Sequence, residues 1–165
     1  MRKLMIVTAL LLFAGIAFGQ TNTSDQVNIQ AEITVINELM DIMDAEFENG
    51  DATTFLSSLA DDALICGTDP SEFWNKEQYL GMQDTESNNN APEFKYIDDR
   101  VVKVAPDGNS AIVVNQFMMI GWSPKIPLRN DFHFIKTNAG WKVFFVNIAF
   151  IPKNEHIGMI NKAIE

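Results

Sequence analysis

The chain has 165 residues, and its 22 acidic against 12 basic side chains leave a net charge of −10 at pH 7. Because nucleic acids and anionic lipids are themselves negatively charged, a surface this acidic argues against either as a partner. A single cysteine excludes an internal disulfide, and no repeat or linker divides the chain. We therefore expect one domain, with enough residues to bury a hydrophobic core.

The first residues are typical of an export signal. Arg2 and Lys3 precede the apolar run 4–18, and small residues, Ala17 and Gly19, stand where a signal peptidase requires them. The run ends in polar residues without a positively charged stop-transfer flank, so we expect no stable membrane insertion. We predict cleavage after Gly19 and release into the periplasm or outside the cell; the alternative is a retained anchor.

The mature chain is predicted to contain a polar leader, 20–28, and one domain, 29–165. The domain opens with apolar residues at intervals of three and four, which indicates one side of a long helix. They are Ile29, Ile33, Ile36, Met40, Met43 and Phe47. Asn49 and Gly50 end this helix, and Asp51 is suited to cap a short second helix.

Shorter elements are predicted next. The apolar run 63–67 favours a strand in which Cys66 is a small buried hydrophobic residue. Asn75 with Gln78 three residues later resembles the reciprocal hydrogen bonding of a helix start. We interpret residues 70–84 as two short helical pieces.

From residue 94 onward the hydrophobic period changes to two, which indicates strands. A loop with three consecutive asparagines, 86–92, precedes them. Four strands are predicted, at 94–105, 110–122, 128–137 and 141–151. Helices followed by strands are typical of an α+β fold, here with N-terminal helices packed on a curved sheet.

Turn chemistry predicts which strand residues lie opposite each other, and a slip of one residue exchanges the two faces of a strand. The Asp-Gly sequence at 107–108 favours a two-residue hairpin turn of type I′. A three-residue loop, 138–140, would pair Thr137 with Trp141. The middle connection, 123–127, contains two prolines, and we assume that it keeps odd-numbered residues opposite odd-numbered ones.

With this assumption one sheet face mixes aromatic residues with polar and charged ones. It carries Tyr96, Asp98, Arg100, Asn115, Phe117, Met119, Asp131, His133, Phe145 and Asn147. His133 would lie opposite Phe145 and Asp131 opposite Asn147. Because unpaired buried charges are costly, polar groups converging among apolar ones indicate a ligand pocket.

The other face is apolar along almost its whole length. It carries Ile112, Val114, Met118, Ile120, Phe132, Phe134, Phe144, Val146 and Ile148. The first helix can cover only one face, so we expect this one to pair with the same face of a second chain in a homodimer. The alternative is that the C-terminal segment, with Ile157, Ile160 and Ile164, folds back over it.

Four segments, in their order and spacing, resemble a known family. They read ENGD at 48–51, LADDA at 59–63, GTDPSEFW at 67–74 and AGWKV at 139–143. Together they are similar to the SnoaL-like domains of the nuclear transport factor 2-like superfamily. The resemblance implies a cystatin-like α+β cone with a mixed or antiparallel sheet, a ligand pocket inside the cone, and dimers made through the outer sheet face.

The resemblance also implies positions for residues that relatives use. On the last strand it places Phe145 and Asn147 inside the cone. In the ketosteroid isomerase branch the general base, a helix tyrosine and an oxyanion-binding aspartate fall at Gly67, Met43 and His133. None of the three residue types is kept, so we do not expect steroid isomerisation.

Asp131 and His133 are the candidates for catalysis, because a carboxylate beside an imidazole can act as a general base. Ligand binding is predicted for Asn115, Phe117, Phe145, Asn147, Arg100, Tyr96 and Trp74. Arg100 is expected to pair with Asp98 rather than to bind an anion. Two ligands are too few for a metal site, and we expect neither a metal nor a cofactor.

Three functions stay open. The first, which we favour, is an exported domain that binds a small, partly apolar molecule. The second is an isomerase, hydratase or lyase that uses His133 as a base oriented by Asp131. The third is a dimeric scaffold without a ligand.

Overall fold

The computed structural model of the protein describes residues 27–83 and 93–164. The predicted signal peptide, most of the polar leader and the predicted loop at 86–92 lie outside the described residues. In the described part of the chain, no helix is both long and apolar enough to cross a membrane.

The predicted long helix is present as α1 (Ile29–Glu48). The Asn28 side chain caps its start by accepting a hydrogen bond from the Ala31 backbone N–H at 3.2 Å. Gly50, with a φ of 72°, supplies the left-handed residue that follows the helix end. The apolar side of α1 is buried through Ile36, Met40 and Met43.

Seven strands of the described chain form one mixed sheet. They are β1 (Leu59–Cys66), β2 (Phe73–Asn75), β3 (Phe94–Tyr96), β4 (Val101–Val104), β5 (Ser110–Met119), β6 (Ser123–Thr137) and β7 (Gly140–Phe150). Their order is β2-β1-β7-β6-β5-β3, with β4 also paired to β5. Only the β1–β7 pair among these is parallel, and the fold is α+β as predicted.

Three further helices complete the described chain: α2 (Thr53–Ser58), α3 (Lys76–Gln83) and α4 (Ile157–Ala163), the last preceded by a 3-10 turn at Asn154–His156. Asn75 and Gln78 form the predicted reciprocal hydrogen bonds, with backbone N–H groups donating to side-chain oxygens at 2.9 and 2.8 Å. The first helical piece predicted in 70–84 is wrong, since strand β2 occupies its place.

The predicted register across the middle connection is wrong. Between two paired positions, Phe117↔Leu128 and Met119↔Ser123, β5 advances by two residues while β6 advances by five. The two advances differ by an odd number of residues, and the difference arises in the stretch of β6 that contains both prolines. It pairs odd-numbered residues of β5 with even-numbered residues of β6, and so exchanges the predicted faces of β6.

A bulge in β7 has a similar effect on the last strand. The loop after β6 has two residues rather than three, so Thr137 pairs with Gly140. Phe144 then has no partner, and this extra residue restores the predicted pairs of His133 with Phe145 and of Asp131 with Asn147. The bulge also reverses the alternation of β7 after Val143.

These registers define two faces of the sheet. The inner face packs under α1 and carries Val113, Asn115, Phe117, Leu128, Asn130, Phe132, Phe134, Val143, Val146 and Ile148. The outer face carries Ile112, Val114, Gln116, Met118, Arg129, Asp131, His133, Phe145 and Asn147. Both predicted faces are therefore mixtures of the real ones.

Several residues predicted for a dimer interface are in the core of the chain itself. Phe134 is fully buried, and Phe132 and Val146 are nearly so. They cannot meet a second chain, because α1 and α2 already cover them. Of the C-terminal residues named for the alternative cover, Ile157 and Ile164 are exposed and Ile160 is half-buried.

A polar contact fixes the first turn of α1 on the β6–β7 hairpin. The Trp141 indole N–H donates to a Glu32 carboxylate oxygen at 2.9 Å, and the Lys136 ammonium donates to the other oxygen. Lys136 also lies over the Trp141 ring, 5.6 Å from its centre. The hydrogen bond from Lys136 is the main cause that lowers the pKa of Glu32.

Replacing neighbouring residues of β6 tests the face assignment. Phe132→Ala removes a ring that is 4% exposed, and we expect it to lower the free energy of unfolding by about 3–5 kcal/mol. His133→Ala, on the outer face, is expected to change it by about 1 kcal/mol or less. Urea denaturation of both variants measures the difference, and a larger loss for His133→Ala would show that the faces are reversed.

Candidate functional site

A cavity of about 720 Å³ lies between the inner face of the sheet and the helices. The walls include α1, α2, α3 and the segment that follows β1. Nine aromatic side chains line it: Phe47, Phe55, Trp74, Tyr79, Phe94, Tyr96, Phe117, Trp122 and Phe132. A cavity with this lining offers a large apolar contact area to a ligand.

One wall of the cavity is a cluster of rings centred on Phe55. Its ring centre lies 5.7 Å from those of Phe47 and Tyr79 and 6.2 Å from that of Phe132. Trp74 extends the cluster through an edge contact with Tyr79 at 6.0 Å. These tilted and edge-to-face contacts are the favourable geometries for aromatic pairs, and they hold the wall in place.

A second group of lining rings is centred on Phe117. Its ring contacts Phe94 at 5.5 Å and Tyr96 at 6.2 Å between centres. The Tyr96 hydroxyl donates to Asp44 on α1 at 2.6 Å. Burial, reinforced by this bond to a carboxylate, raises the pKa of the Tyr96 phenol well above its ordinary value. The phenol is therefore held protonated.

Arg100 pairs with helix α1 and not with Asp98 as predicted. One terminal nitrogen donates to Asp44 at 2.6 Å, and the other donates to Asp41 at 2.7 Å and to the Asn37 carbonyl at 3.1 Å. Arg100 follows β3, so these bonds hold that end of the sheet against the second half of α1. Because both terminal nitrogens are engaged, Arg100 is poorly placed to bind an anion in the cavity.

Two asparagines lie opposite each other on the inner face. Asn115 on β5 pairs with Asn130 on β6, and Asn130 lines the cavity. Asn115 is only 2% exposed. The Nδ2 atom of Asn115 and the Oδ1 atom of Asn130 are buried and have no hydrogen-bond partner among the described residues. The inner face therefore contains an unused donor beside an unused acceptor.

The charged residues that line the cavity are acidic. They are Asp44, Asp51 and Glu72, and no lysine, arginine or histidine is among the described residues of the lining. Hydrogen bonds from Thr53, chiefly from its hydroxyl, lower the pKa of Asp51. Glu72 accepts from the Asp69 backbone N–H at 2.9 Å. This lining favours cations and neutral molecules over anions.

The Glu72 carboxylate lies against Gly67. A Cβ added at Gly67 would be 2.1 Å from its Oε2 atom, closer than any real contact. Only glycine leaves room for the carboxylate at this corner of the cavity. Position 67 therefore cannot carry a catalytic aspartate unless Glu72 moves.

A sequence profile identifies the family. The profile of the SnoaL-like domain matches residues 36–148, which is more than half of the chain. The chain belongs to the SnoaL-like domain family. No curated protein shows significant similarity to it.

Solved structures share the fold of this SnoaL-like domain. A cystatin-like fold protein from Burkholderia xenovorans LB400 has a TM-score of 0.62 and 13% identity, over 74% of this chain and 93% of its own. A protein from Parabacteroides distasonis, provisionally named a ketosteroid isomerase, has a TM-score of 0.59 and 16% identity, over 80% and 95%. A nuclear transport factor 2-like protein from Cytophaga hutchinsonii has a TM-score of 0.55 and 14% identity, over 72% of this chain and 97% of its own. At these identities the comparison shows the fold alone, and that fold is the one predicted.

The structure separates the predicted site residues of the SnoaL-like domain into two groups. Trp74, Tyr96 and Phe117 line the cavity, and Asn115 lies on the inner face beside it. The predicted catalytic pair, Asp131 and His133, lies on the outer face instead, as do its β7 neighbours, Phe145 and Asn147. A shallow depression of about 330 Å³ lies among them. The depression is lined by Ile112, Asp131, Phe132, His133 and Phe145. No hydrogen bond or ion pair joins Asp131 to His133 in the described chain.

Sequence reasoning missed the β6 and β7 residues of the cavity: Leu128, Asn130, Phe132, Val146 and Ile148. A signal for them was present, because a strongly apolar strand face in a single small domain is more often covered by the domain's own helices than by a second chain.

The described residues contain no group of three or more potential metal ligands. Cys66 is buried as predicted, and burial raises its pKa.

The raised pKa of Tyr96 predicts a loss of stability in alkali. The folded state holds the phenolic proton more tightly than the unfolded chain, so the stabilisation is complete below about pH 10, the ordinary pKa of tyrosine, and is lost as the pH rises further. Urea unfolding at about pH 8 and about pH 11 measures this loss. A Tyr96→Phe variant should lose less stability over the same interval, and an equal loss would contradict the assignment to Tyr96.

Proposed function

We propose that this SnoaL-like domain is an exported protein that binds a small, partly apolar molecule in the inner cavity. The observation that carries the proposal is the cavity of about 720 Å³ with nine aromatic side chains in its lining. Its volume falls within the range of about 300–1,000 Å³ that is typical of ligand pockets. Filling it with an apolar ligand would remove a large aromatic surface from water, which is the main driving force for such binding.

The charges around the cavity favour a neutral or cationic ligand. Three carboxylates line it without a basic side chain among the described lining residues. Arg100, which shares Asp44 with the cavity residue Tyr96, is already bonded to Asp41 and Asp44. The chain as a whole carries a net charge of −10. An anionic ligand would be repelled by the negative electrostatic potential that these charges create.

The SnoaL-like fold also accommodates enzymes of the isomerase type, and one structural relative has such a name. In this chain the acid–base mechanism through Asp131 and His133 loses its support, because both residues lie on the outer face. Inside the cavity, Tyr96 has a raised pKa and donates a hydrogen bond to Asp44. It is therefore poorly suited to act as a base, and we favour binding without chemistry.

Homodimerisation through the outer face stays a prediction. Of the residues named for it, Ile112, Val114 and Met118 lie on that face, and Ile112 is 51% exposed. Leu64 and Val101 are exposed nearby on the same sheet. The real outer face mixes these apolar residues with charged ones, and it is less apolar than the sequence suggested.

Ligand retention tests the binding function. Native mass spectrometry of protein purified from its own host should show a bound small molecule. Ile148→Trp fills the cavity and is expected to weaken retention at least about tenfold, or ~1.4 kcal/mol. Asn147→Trp adds similar bulk on the outer face and should retain the ligand. If the two variants retain it equally, the ligand does not occupy the cavity.

Export has its own test. The proposal rests on Arg2 and Lys3, the apolar run 4–18 and the small residues that precede the cut after Gly19. We expect the protein isolated from its host to begin at Gln20, as measured by N-terminal sequencing and intact mass. A chain that keeps residues 1–19 in the membrane fraction would support the anchor alternative instead.

A further inference from the structure

We infer that the inner cavity selects an organic cation, an apolar body that ends in an ammonium group, and that the Glu72 carboxylate binds this group. The inference rests on the proposed function, since it assumes that the ligand occupies the inner cavity. It adds the charge of the ligand and the residue that recognises it. Glu72 itself lines the cavity, together with Asp44 and Asp51.

The carboxylates of Asp44 and Asp51 are already compensated or screened. Asp44 accepts from the Arg100 guanidinium and from the Tyr96 hydroxyl, each at 2.6 Å. Its negative charge therefore has a partner within the protein. Asp51 is exposed, and it accepts from the backbone N–H and the hydroxyl of Thr53. Water and salt screen a charge in such a position.

Glu72 has neither a basic partner nor full access to water. It is half-buried, and no lysine, arginine or histidine forms an ion pair with it in the described chain. Its Oε2 atom accepts from the Asp69 backbone N–H at 2.9 Å. A neutral N–H group does not cancel a full negative charge. Glu72 is thus the uncompensated carboxylate of the described lining.

A ligand that fills the cavity takes this carboxylate out of water. Removing water without supplying a positive charge is strongly unfavourable, because the buried charge is left without a partner. An ammonium group supplies that charge and donates a charge-assisted hydrogen bond, which is about twice as strong as one between neutral groups. A hydroxyl group also donates a hydrogen bond, but it leaves the negative charge uncompensated.

An indole ring lies on the same wall as the carboxylate. Glu72 directly precedes strand β2, and Trp74 is the second residue of that strand. Both line the cavity, whereas Phe73 between them is 60% exposed. Alternate residues of an extended chain lie about 7 Å apart on one side. Because ring faces attract cations, and the tryptophan ring most strongly, an ammonium group between Glu72 and Trp74 gains both interactions.

The Glu72 carboxylate is held in place before a ligand binds. The Glu72 backbone N–H donates to the Asp69 carbonyl, and the Gly67 N–H donates to the Glu72 carbonyl, both at 3.0 Å. The Oε2 atom occupies the space that a side chain at position 67 would take. Since the carboxylate is already ordered, binding costs little of its conformational freedom.

Three naphthalenes that differ in one end group test the inference. They are 2-naphthylmethylamine, which is protonated at about pH 7, 2-naphthylmethanol and 2-naphthylacetate. Each is titrated into the wild type, into Glu72→Gln and into Glu38→Gln, with affinities measured by NMR chemical-shift titration. Glutamine keeps the shape of Glu72 and still accepts from the Asp69 N–H. Glu38 is exposed on α1 and does not line the cavity, so its variant removes the same charge elsewhere.

We expect the amine to bind the wild type at least about tenfold more tightly than the alcohol, and the acetate to bind most weakly. Glu72→Gln should lose the preference for the amine and keep its affinity for the alcohol within about threefold. Binding of the alcohol also shows that the cavity of the variant is folded. Glu38→Gln should keep the wild-type preference.

The outcomes separate this inference from the proposed function. If amine and alcohol bind equally to the wild type, and Ile148→Trp weakens both, the cavity binds ligands but the selection of a cation is wrong. The inference is also wrong if Glu72→Gln keeps the preference, or if Glu38→Gln loses it to the same extent.

Binding of none of the three compounds to the wild type would contradict the inference as well. The proposed function would then still stand if native mass spectrometry shows a ligand that Ile148→Trp fails to retain. If neither a probe nor a retained ligand is found, both the inference and the proposed function are contradicted.

Discussion

The register of β5, β6 and β7 is the constraint on which the rest of the molecule depends. It aligns Val113, Phe132 and Val146 in one row across the inner face, and Asn115 with Asn130 in the next row. The first row is buried in the core and lines the cavity through Phe132 and Val146, and Asn130 in the second row lines the cavity as well. A shift of one residue in β6 would bring Asp131 and His133 under α1, where a charged group without a partner is strongly unfavourable.

Helix α1 lies over the inner face of the sheet and forms part of the cavity wall. It packs on the sheet through Ile36, Met40 and Met43, and the next part of the helix, with Asp44 and Phe47, lines the cavity. Polar contacts near both ends keep the helix in place, from Glu32 to the β6–β7 hairpin and from Asp44 to Arg100 and Tyr96. The side chains of Arg100, Asp44 and Glu32 in these contacts are largely buried, with 16%, 17% and 19% of their surface exposed. Their main effect is to fix the position of the helix over the cavity.

The sequence was sufficient for the fold and for part of the site. Periodicity, the Asn75–Gln78 pair and four short segments identified the helices, the sheet and the family. Trp74, Tyr96 and Phe117, for which ligand binding stays a prediction, all line the cavity. Strands β3 and β5 turn their predicted face towards it, while Trp74 lies on strand β2 and not on the predicted helical piece. Turn chemistry did not predict the faces of β6 and β7, since irregular pairing around two prolines and a bulge is decided by packing between strands and not by local propensity. Only the apolar character of one strand face indicated which residues the helices cover. Asn130 was missed for this reason.

The unpaired Phe144 in β7 affects how relatives of this protein are compared. Before it, Trp141 and Val143 follow one alternation, and after it Val146 and Ile148 continue on the inner face in the opposite parity. Against a relative without this bulge, an alignment that runs without a gap from the opening tryptophan would compare inner residues of one protein with outer residues of the other. A single inserted residue in this strand would thus change which side chains form the cavity wall even between sequences that align well.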